Sequence, residues 1–334
     1  MTSVGLSMRR RIFITLVGCA AAAWPVLLRA QQSEVPLIGF LSARSPDESA
    51  SVVAAFRQGL TDGGFVEDHN LRIDYRWARG DYERLPALAA ELVRVPVAVL
   101  VGVGGDPSAR AVAAATKTIP VVTVFSSDPV KTHLIDSLGH PGGNVTGLSN
   151  LSAAIEPKRV GLLRELAPQA STFGVLLNPD FPAAQEQLID IQEAAKSVGV
   201  GLRVLQAKNE LELDAAFDQV THEKIAALLI ASDPFFTLRR DKLANLAIGH
   251  RVATIYAFRE YAAAGGLMSY GINLPDTYRQ LGGYSSRILK GAAPAELPVL
   301  QPTKFEFVIN LKTAKAIGVK ISENLLSLAD EVIE

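Results

Sequence analysis

Short apolar runs rich in β-branched residues recur along the chain at 36–42, 71–77, 97–103, 119–125, 172–177, 201–206, 225–231 and 252–257. Their length and composition predict strands. Between them, apolar residues recur at helical spacing: Val52, Val53, Phe56 and Leu60 share a face, as do Leu85, Leu88, Ala89 and Leu92, and then Leu188, Ile191, Ala195 and Val198. Strand and helix in alternation mark βαβ units. The expected fold class is therefore α/β, built on doubly wound parallel sheets.

The strand exits share a feature. A residue that can cap a helix stands directly before proline in Ser45-Pro46, Asp106-Pro107, Asp128-Pro129, Asn178-Pro179 and Asp233-Pro234. Proline suits a first helical position because its missing N–H would go unpaired there anyway. Ser45-Pro46-Asp47-Glu48 also has the spacing of a capping box. Taken singly, these are helix starts; taken together, they line the carboxyl ends of parallel strands, where open α/β sheets bind ligands.

The rhythm breaks at Pro141–Gly147, Gly265–Gly271 and Pro294–Pro298, where glycine and proline crowd together as in turns or hinges. If the chain passes between two lobes at each break, the first lobe is 35–146 plus 271–297 and the second is 147–270 plus 298–334. Both lobes are then discontinuous and are joined by three crossovers.

With 334 residues, 49% of them apolar, the chain is long enough for two full cores. A formal net charge of -1 supplies no basic field for a phosphate backbone, so nucleic acid is not an expected partner. The charge is unevenly spread. Residues 1–30 hold four basic and no acidic residues, leaving a mildly acidic body of 29 basic against 34 acidic.

Arg9-Arg10-Arg11 precedes an apolar run from Ile12 to Leu28 and then Arg29-Ala30, the order of a signal peptide over residues 1–30. The run is short for a membrane span and is interrupted by Gly18 and Pro25. Met8 competes with Met1 as the initiator, and the arginine pair leaves a Sec or twin-arginine route open. Cys19, the sole cysteine, sits in a box like that of acylated lipoproteins, but the following residues stay apolar through Leu28. Cleavage near Ala30 would leave a body without cysteine. The expected localisation is periplasmic, with lipid anchoring through Cys19 the weaker alternative.

Catalytic signatures are sparse. His69, His133, His140, His222 and His250 are scattered without metal-ligand spacing, so no metal is expected. Gly102-Val103-Gly104-Gly105 lacks the third glycine of a dinucleotide fingerprint, and no phosphate loop occurs, so no cofactor is expected. Ser269 is not in a nucleophile elbow. Glu260 is the local candidate for a general acid, although a surface ion pair on a helix is its default reading.

Several stretches together resemble the substrate-binding proteins of ABC transporters, in the branch that includes aromatic amino-acid binders. They include Ile38–Ser42, Ala55–Leu60, Tyr75–Ala78, Leu85–Leu92, Pro141–Gly147, Gly265–Gly271 and Gln301–Glu306, spread over most of the chain after residue 30. Asp106–Arg110, Lys131–His133 and Ser152–Pro157 depart from the pattern, the last in place of a more helical stretch. The resemblance implies a periplasmic-binding protein of type I: two lobes, three crossovers, no catalysis, and delivery of a small molecule to an ABC permease. A monomer is expected.

In such a fold the ligand sits between the lobes. An amino acid, possibly aromatic in side chain, or a related carboxylate is the expected ligand. Backbone N–H groups around Gly104, Gly105 and Ser108, with the hydroxyls of Ser42, Ser126 and Ser127, are candidates for its carboxylate. Asp128 and Asp233 are candidates for its ammonium, in tension with their capping roles. Asn178 belongs to the same polar rim. Phe235, Phe236, Tyr256, Phe258 and Tyr270 are candidates to stack on its side chain, Tyr270 first, with one of Phe235 and Phe236 expected in the core. Two rival functions share the pattern: a two-lobe α/β enzyme with an interlobe active site, and a ligand-sensing module.

Overall fold

The structure is a computed structural model that describes residues 35–150 and 152–334. The leader expected over 1–30, with Arg9–Arg11, Cys19 and the position after Ala30, lies outside the described residues.

The chain first runs through β1 (Leu37–Ser42), α1 (Ala50–Asp62), β2 (Arg72–Trp77), α2 (Leu85–Leu92), β3 (Val99–Val103), α3 (Asp106–Ala115), β4 (Val121–Phe125) and β5 (Val145–Ser149). A second stretch follows, with α4 (Ser152–Leu166), β6 (Thr172–Leu177), α5 (Ala184–Ser197), β7 (Gly201–Gln206), α6 (Glu210–His222), β8 (Ala227–Ile230), α7 (Pro234–Leu238), α8 (Arg240–Gly249), β9 (Ala253–Tyr256), α9 (Arg259–Ala263) and β10 (Met268–Ile272). The last part comprises α10 (Leu274–Leu289), β11 (Phe305–Asn310), α11 (Leu311–Ile317), α12 (Glu323–Leu328) and β12 (Glu331–Ile333).

Among the described residues, the strands form two sheets. The first is parallel throughout, in the order β2-β1-β3-β4-β5. The second runs β12-β11-β10-β9-β8-β6-β7 and is parallel except where β10 meets β11. The fold is two α/β lobes on parallel-sheet cores. The strands alternate their side chains between faces, and both faces are covered, which is why the inner strands read as continuous apolar runs. In the first lobe, Ile38, Phe40, Val99 and Val101 pack with Val52, Phe56, Leu281 and Ile288 on one side, while Leu41, Leu100 and Val121 pack with Leu85, Leu92 and Val112 on the other. The edge strand β2 carries Arg72, Asp74 and Arg76, charges that discourage pairing with another chain.

Helices α1 and α10 touch backbone to backbone. A Cβ on Gly59 would stand 1.9 Å from the carbonyl oxygen of Arg279, and one on Gly282 would stand 2.1 Å from that of Phe56. Glycine at both positions permits this approach, so a helix from late in the chain is seated on the first lobe.

Two of the expected hinges contain strands. Val145–Ser149 is β5 of the first sheet and Met268–Ile272 is β10 of the second, so the chain leaves the first sheet after Ser149, beyond the expected 146, and returns after Ile272, beyond the expected 270. The third passage is displaced too. Leu300 remains with the first lobe, its N–H bonded to the Gly147 carbonyl at 3.1 Å and its carbonyl to the Ser149 N–H at 2.8 Å. In the first two segments glycines lie inside the strands as well as in the turns before them, Gly147 in β5 and Gly271 in β10. Ser152–Pro157, taken as less helical, begins α4, with Pro157 inside the helix.

Candidate functional site

The carboxyl ends of both sheets face one narrow cavity of about 40 Å3. The first lobe contributes Arg44 after β1, Gly104 and Gly105 after β3, Ser126 after β4 and Asn150 after β5, with Leu274, Thr277 and Tyr278 from α10. From the second lobe come Phe181 after β6, Ser232, Asp233, Pro234 and Thr237 around the start of α7, and Phe258 after β9.

Each loop has a local reason for its shape. Gly104 and Gly105 have φ of +86° and +89°, and a Cβ on Gly105 would come 3.0 Å from Ser126 Oγ. Only glycine adopts this conformation readily, and its bare backbone keeps the wall open. Asp106 is not the cap expected: Gly105 takes that position, and Asp106 instead accepts from the N–H groups of Ser126 and Ser127 at 2.7 and 3.2 Å, tying the exit of β4 to that of β3. Asp233 is a true cap, accepting from the Phe236 N–H at 2.9 Å. Asn178 and Asp128 cap turns and not helices, accepting from the N–H of Asp180 at 3.0 Å and of Val130 at 2.9 Å. At Ser45 half of the capping box forms: its N–H donates to Glu48 Oε1 at 3.0 Å.

The lobes are held together here. Tyr82, from the loop after β2, donates its phenolic proton to Asp233 Oδ2 at 2.7 Å and accepts the Phe235 N–H at 3.2 Å. Asn178 Nδ2 donates to the same Oδ2 at 3.2 Å. A second link joins Arg240 to Glu48 at 3.3 Å. Burial pushes the Asp233 carboxyl up to about 6, offset in part by its bonds from Tyr82, the Phe236 N–H and Asn178. Tyr82 is raised well above its ordinary value by its own burial and by the charge of Asp233.

Two polar atoms of the lining are buried without a hydrogen-bond partner, Arg44 Nε and Asn150 Oδ1. Arg44 is only 4% exposed. Leaving a buried charged donor unmet costs about 1–3 kcal/mol or more, so these atoms are poised for a partner.

Of the candidate residues, Gly104, Gly105, Ser126 and Asp233 line the cavity. Ser127 and Asp128 line a neighbouring cleft with Lys131 and Glu186, and Asn178 reaches the site through Asp233. Ser42 and Ser108 are fully buried and off the cavity, Ser42 Oγ accepting from the Arg44 N–H at 3.1 Å. Neither tyrosine reaches it. Tyr256 is in the core, stacked on Tyr261 with ring centroids 4.7 Å apart, because β9 turns it toward α7 and α8. Tyr270 stacks on Phe305 across the β10–β11 pair, with ring centroids 6.2 Å apart. Phe235 and Phe236 both pack in the core. The aromatic lining is Phe181, Phe258 and Tyr278, of which only Phe258 was a candidate. Arg44, two residues past Ser42 at a strand exit, was the visible signal that went unread. Among the described residues, no group of three or more His, Cys, Asp or Glu is placed to hold a metal ion.

A family model described as ABC transporter substrate binding protein matches residues 34–333. The chain belongs to this family. Among other substrate-binding proteins, it is similar to the tyrosine-binding protein of Clostridioides difficile (strain R20291), at 25% identity over 265 residues, 79% of this chain and 76% of that one. A conserved domain protein from Vibrio cholerae has a solved structure with 27% identity and a TM-score of 0.83, covering 90% of this chain and 100% of that one. A domain from Streptococcus pneumonia solved in complex with L-Trp is 26% identical with a TM-score of 0.80, covering 89% of this chain and 99% of that one. Among the described residues of this substrate-binding protein, no helix is long and apolar enough to cross a membrane.

Proposed function

We propose that this substrate-binding protein serves an ABC importer in the periplasm, capturing an amino acid, aromatic in side chain, and presenting it to a permease without altering it. The observation that carries the reading is the cavity itself: strand exits of both lobes surround it, with Asp233 for an ammonium and Phe181, Phe258 and Tyr278 for a flat apolar side chain. Two relatives, one named for binding tyrosine and one solved in complex with L-Trp, support the class. The charged and apolar order of residues 1–30 supports export. The protein works as a monomer, and capture is by closure: a ligand that touches both lobes binds the shut form better and shifts the population toward it.

The test is a thermal-shift screen of the purified protein against amino acids, aromatic acids, sugars and nucleotides. A ligand at a hundred times its dissociation constant stabilises by about 2.7 kcal/mol. The reading requires a shift with tyrosine, tryptophan or phenylalanine; a shift with sugars or nucleotides alone overturns the ligand class, and turnover of a bound compound overturns the transport role.

A further inference from the structure

The cavity offers two places for a ligand's negative end. One is the glycine corner at Gly104 and Gly105, where positive φ exposes the backbone. Its charge is unfavourable: Asp106 follows directly, bonded to the Ser126 and Ser127 N–H groups through Oδ1, with Oδ2 buried and unpartnered. The cation beside this corner is Arg44, whose Cγ lies 3.4 Å from where a Cβ on Gly104 would stand.

The other is Arg44. Its guanidinium is buried on the cavity wall with Nε lacking an acceptor. Glu48 is the near counter-charge, but its Oε1 lies 3.7 Å from Nε, beyond hydrogen-bond reach, and already accepts from the Ser45 N–H. Its Oε2 is engaged by Arg240 of the second lobe at 3.3 Å. Glu48 thus lies beside the guanidinium without accepting from Nε, and Tyr278 of the cavity lining is the guanidinium's other neighbour. Asn150 Oδ1 is the matching unmet acceptor on the same wall.

Resting on the reading of this cavity as the ligand site, we infer that Arg44 is the carboxylate anchor, and that Asn150 accepts a hydrogen bond from the ligand's amine. The ligand is then an α-amino acid held head-first against the first lobe. An amine or an amide of the same side chain is rejected because it leaves Arg44 Nε unmet.

The experiment is calorimetric titration with L-tryptophan, L-tyrosine and their decarboxylated counterparts, tryptamine and tyramine. The native protein is expected to favour an amino acid over its amine by about 100-fold or more. In Arg44→Gln, the amino acid falls to about the affinity of the amine, and the amine is unchanged. Native-like discrimination in Arg44→Gln overturns the inference. If that variant does not fold, Arg44→Lys keeps the charge without the planar fork, and there undiminished discrimination overturns it. If the native protein binds neither amino acid, the ligand class proposed above fails separately. A panel of other carboxylates against their primary amides then decides on Arg44, which stands only if a carboxylate is preferred and the preference is lost in the variant.

Discussion

Replacing Tyr82 with phenylalanine isolates the contact that joins the lobes. The ring, which packs near Phe181 with centroids 6.4 Å apart, is retained, and only the oxygen between Asp233 and the Phe235 N–H is removed. Hydrogen bonds to charged groups contribute about 1.5–3 kcal/mol. Tyr82 belongs to the first lobe and Asp233 to the second, so this energy is lost from the shut form alone. At about 1.4 kcal/mol per tenfold, apparent affinity for a ligand that needs closure weakens by about 10- to 150-fold. Asp233 still caps α7 through Phe236, so the second lobe keeps its fold and a melting curve checks this. Calorimetry with the ligand found in the screen gives the affinity, and small-angle scattering of the ligand-free protein gives the shape, which is expected to expand. Affinity within twofold of native, with unchanged scattering, would refute the role of Tyr82 in closure.

Further outcomes follow from the same geometry. Asp233 titrates at about 6 when buried against an ordinary 3.8, so its protonated form is the one folding favours. Its contribution to stability is present in full below 3.8 and is lost as pH rises through about 6, a change of about 3 kcal/mol. The difference in melting temperature between native protein and Asp233→Asn should therefore shrink or reverse across that window, and a constant difference counts against it. If a ligand ammonium pairs with Asp233, native affinity rises between pH 5 and pH 7 while that of Asp233→Asn stays flat, as calorimetry at the two pH values will show. Gly59→Ala places a Cβ 1.9 Å from the Arg279 carbonyl oxygen and forces α1 and α10 apart. Overpacking of this kind costs about 1–3 kcal/mol, and a loss of several degrees in the melt is the expected reading. Tyr256→Phe, in contrast, should leave affinity within twofold, because its ring is sealed in the core; a larger loss in calorimetry would contradict its placement.

Four strands of each sheet were readable because inner parallel strands, covered on both faces, appear as unbroken apolar runs such as Val99–Val103, whereas β11 and β12 were not read as strands. Strands β5 and β10 were hidden for a physical reason. Gly147 and Gly271 stand where a Cβ would fall 1.8 Å from the Thr123 carbonyl and 1.9 Å from the Ala257 carbonyl, so each is demanded by a close neighbouring backbone and looks, in sequence, like a turn. The cavity was legible at its glycine corner and at Asp233, where strand-exit chemistry is local. Arg44, Phe181 and Tyr278 were not, since their value arises from meeting residues of the other lobe or of α10. Tyr256 and Tyr270 misled for the converse reason: nearness to a strand exit does not decide which face of the sheet a side chain takes.

Helix α10 carries a consequence for biosynthesis. When synthesis reaches Asn150, every strand of the first sheet exists, yet Val52, Phe56 and Leu60 still lack the partner that Leu281 and Ile288 supply about 130 residues later. The half encoded first thus waits for a late helix, and until then its greasy flank stays uncovered on the emerging polypeptide.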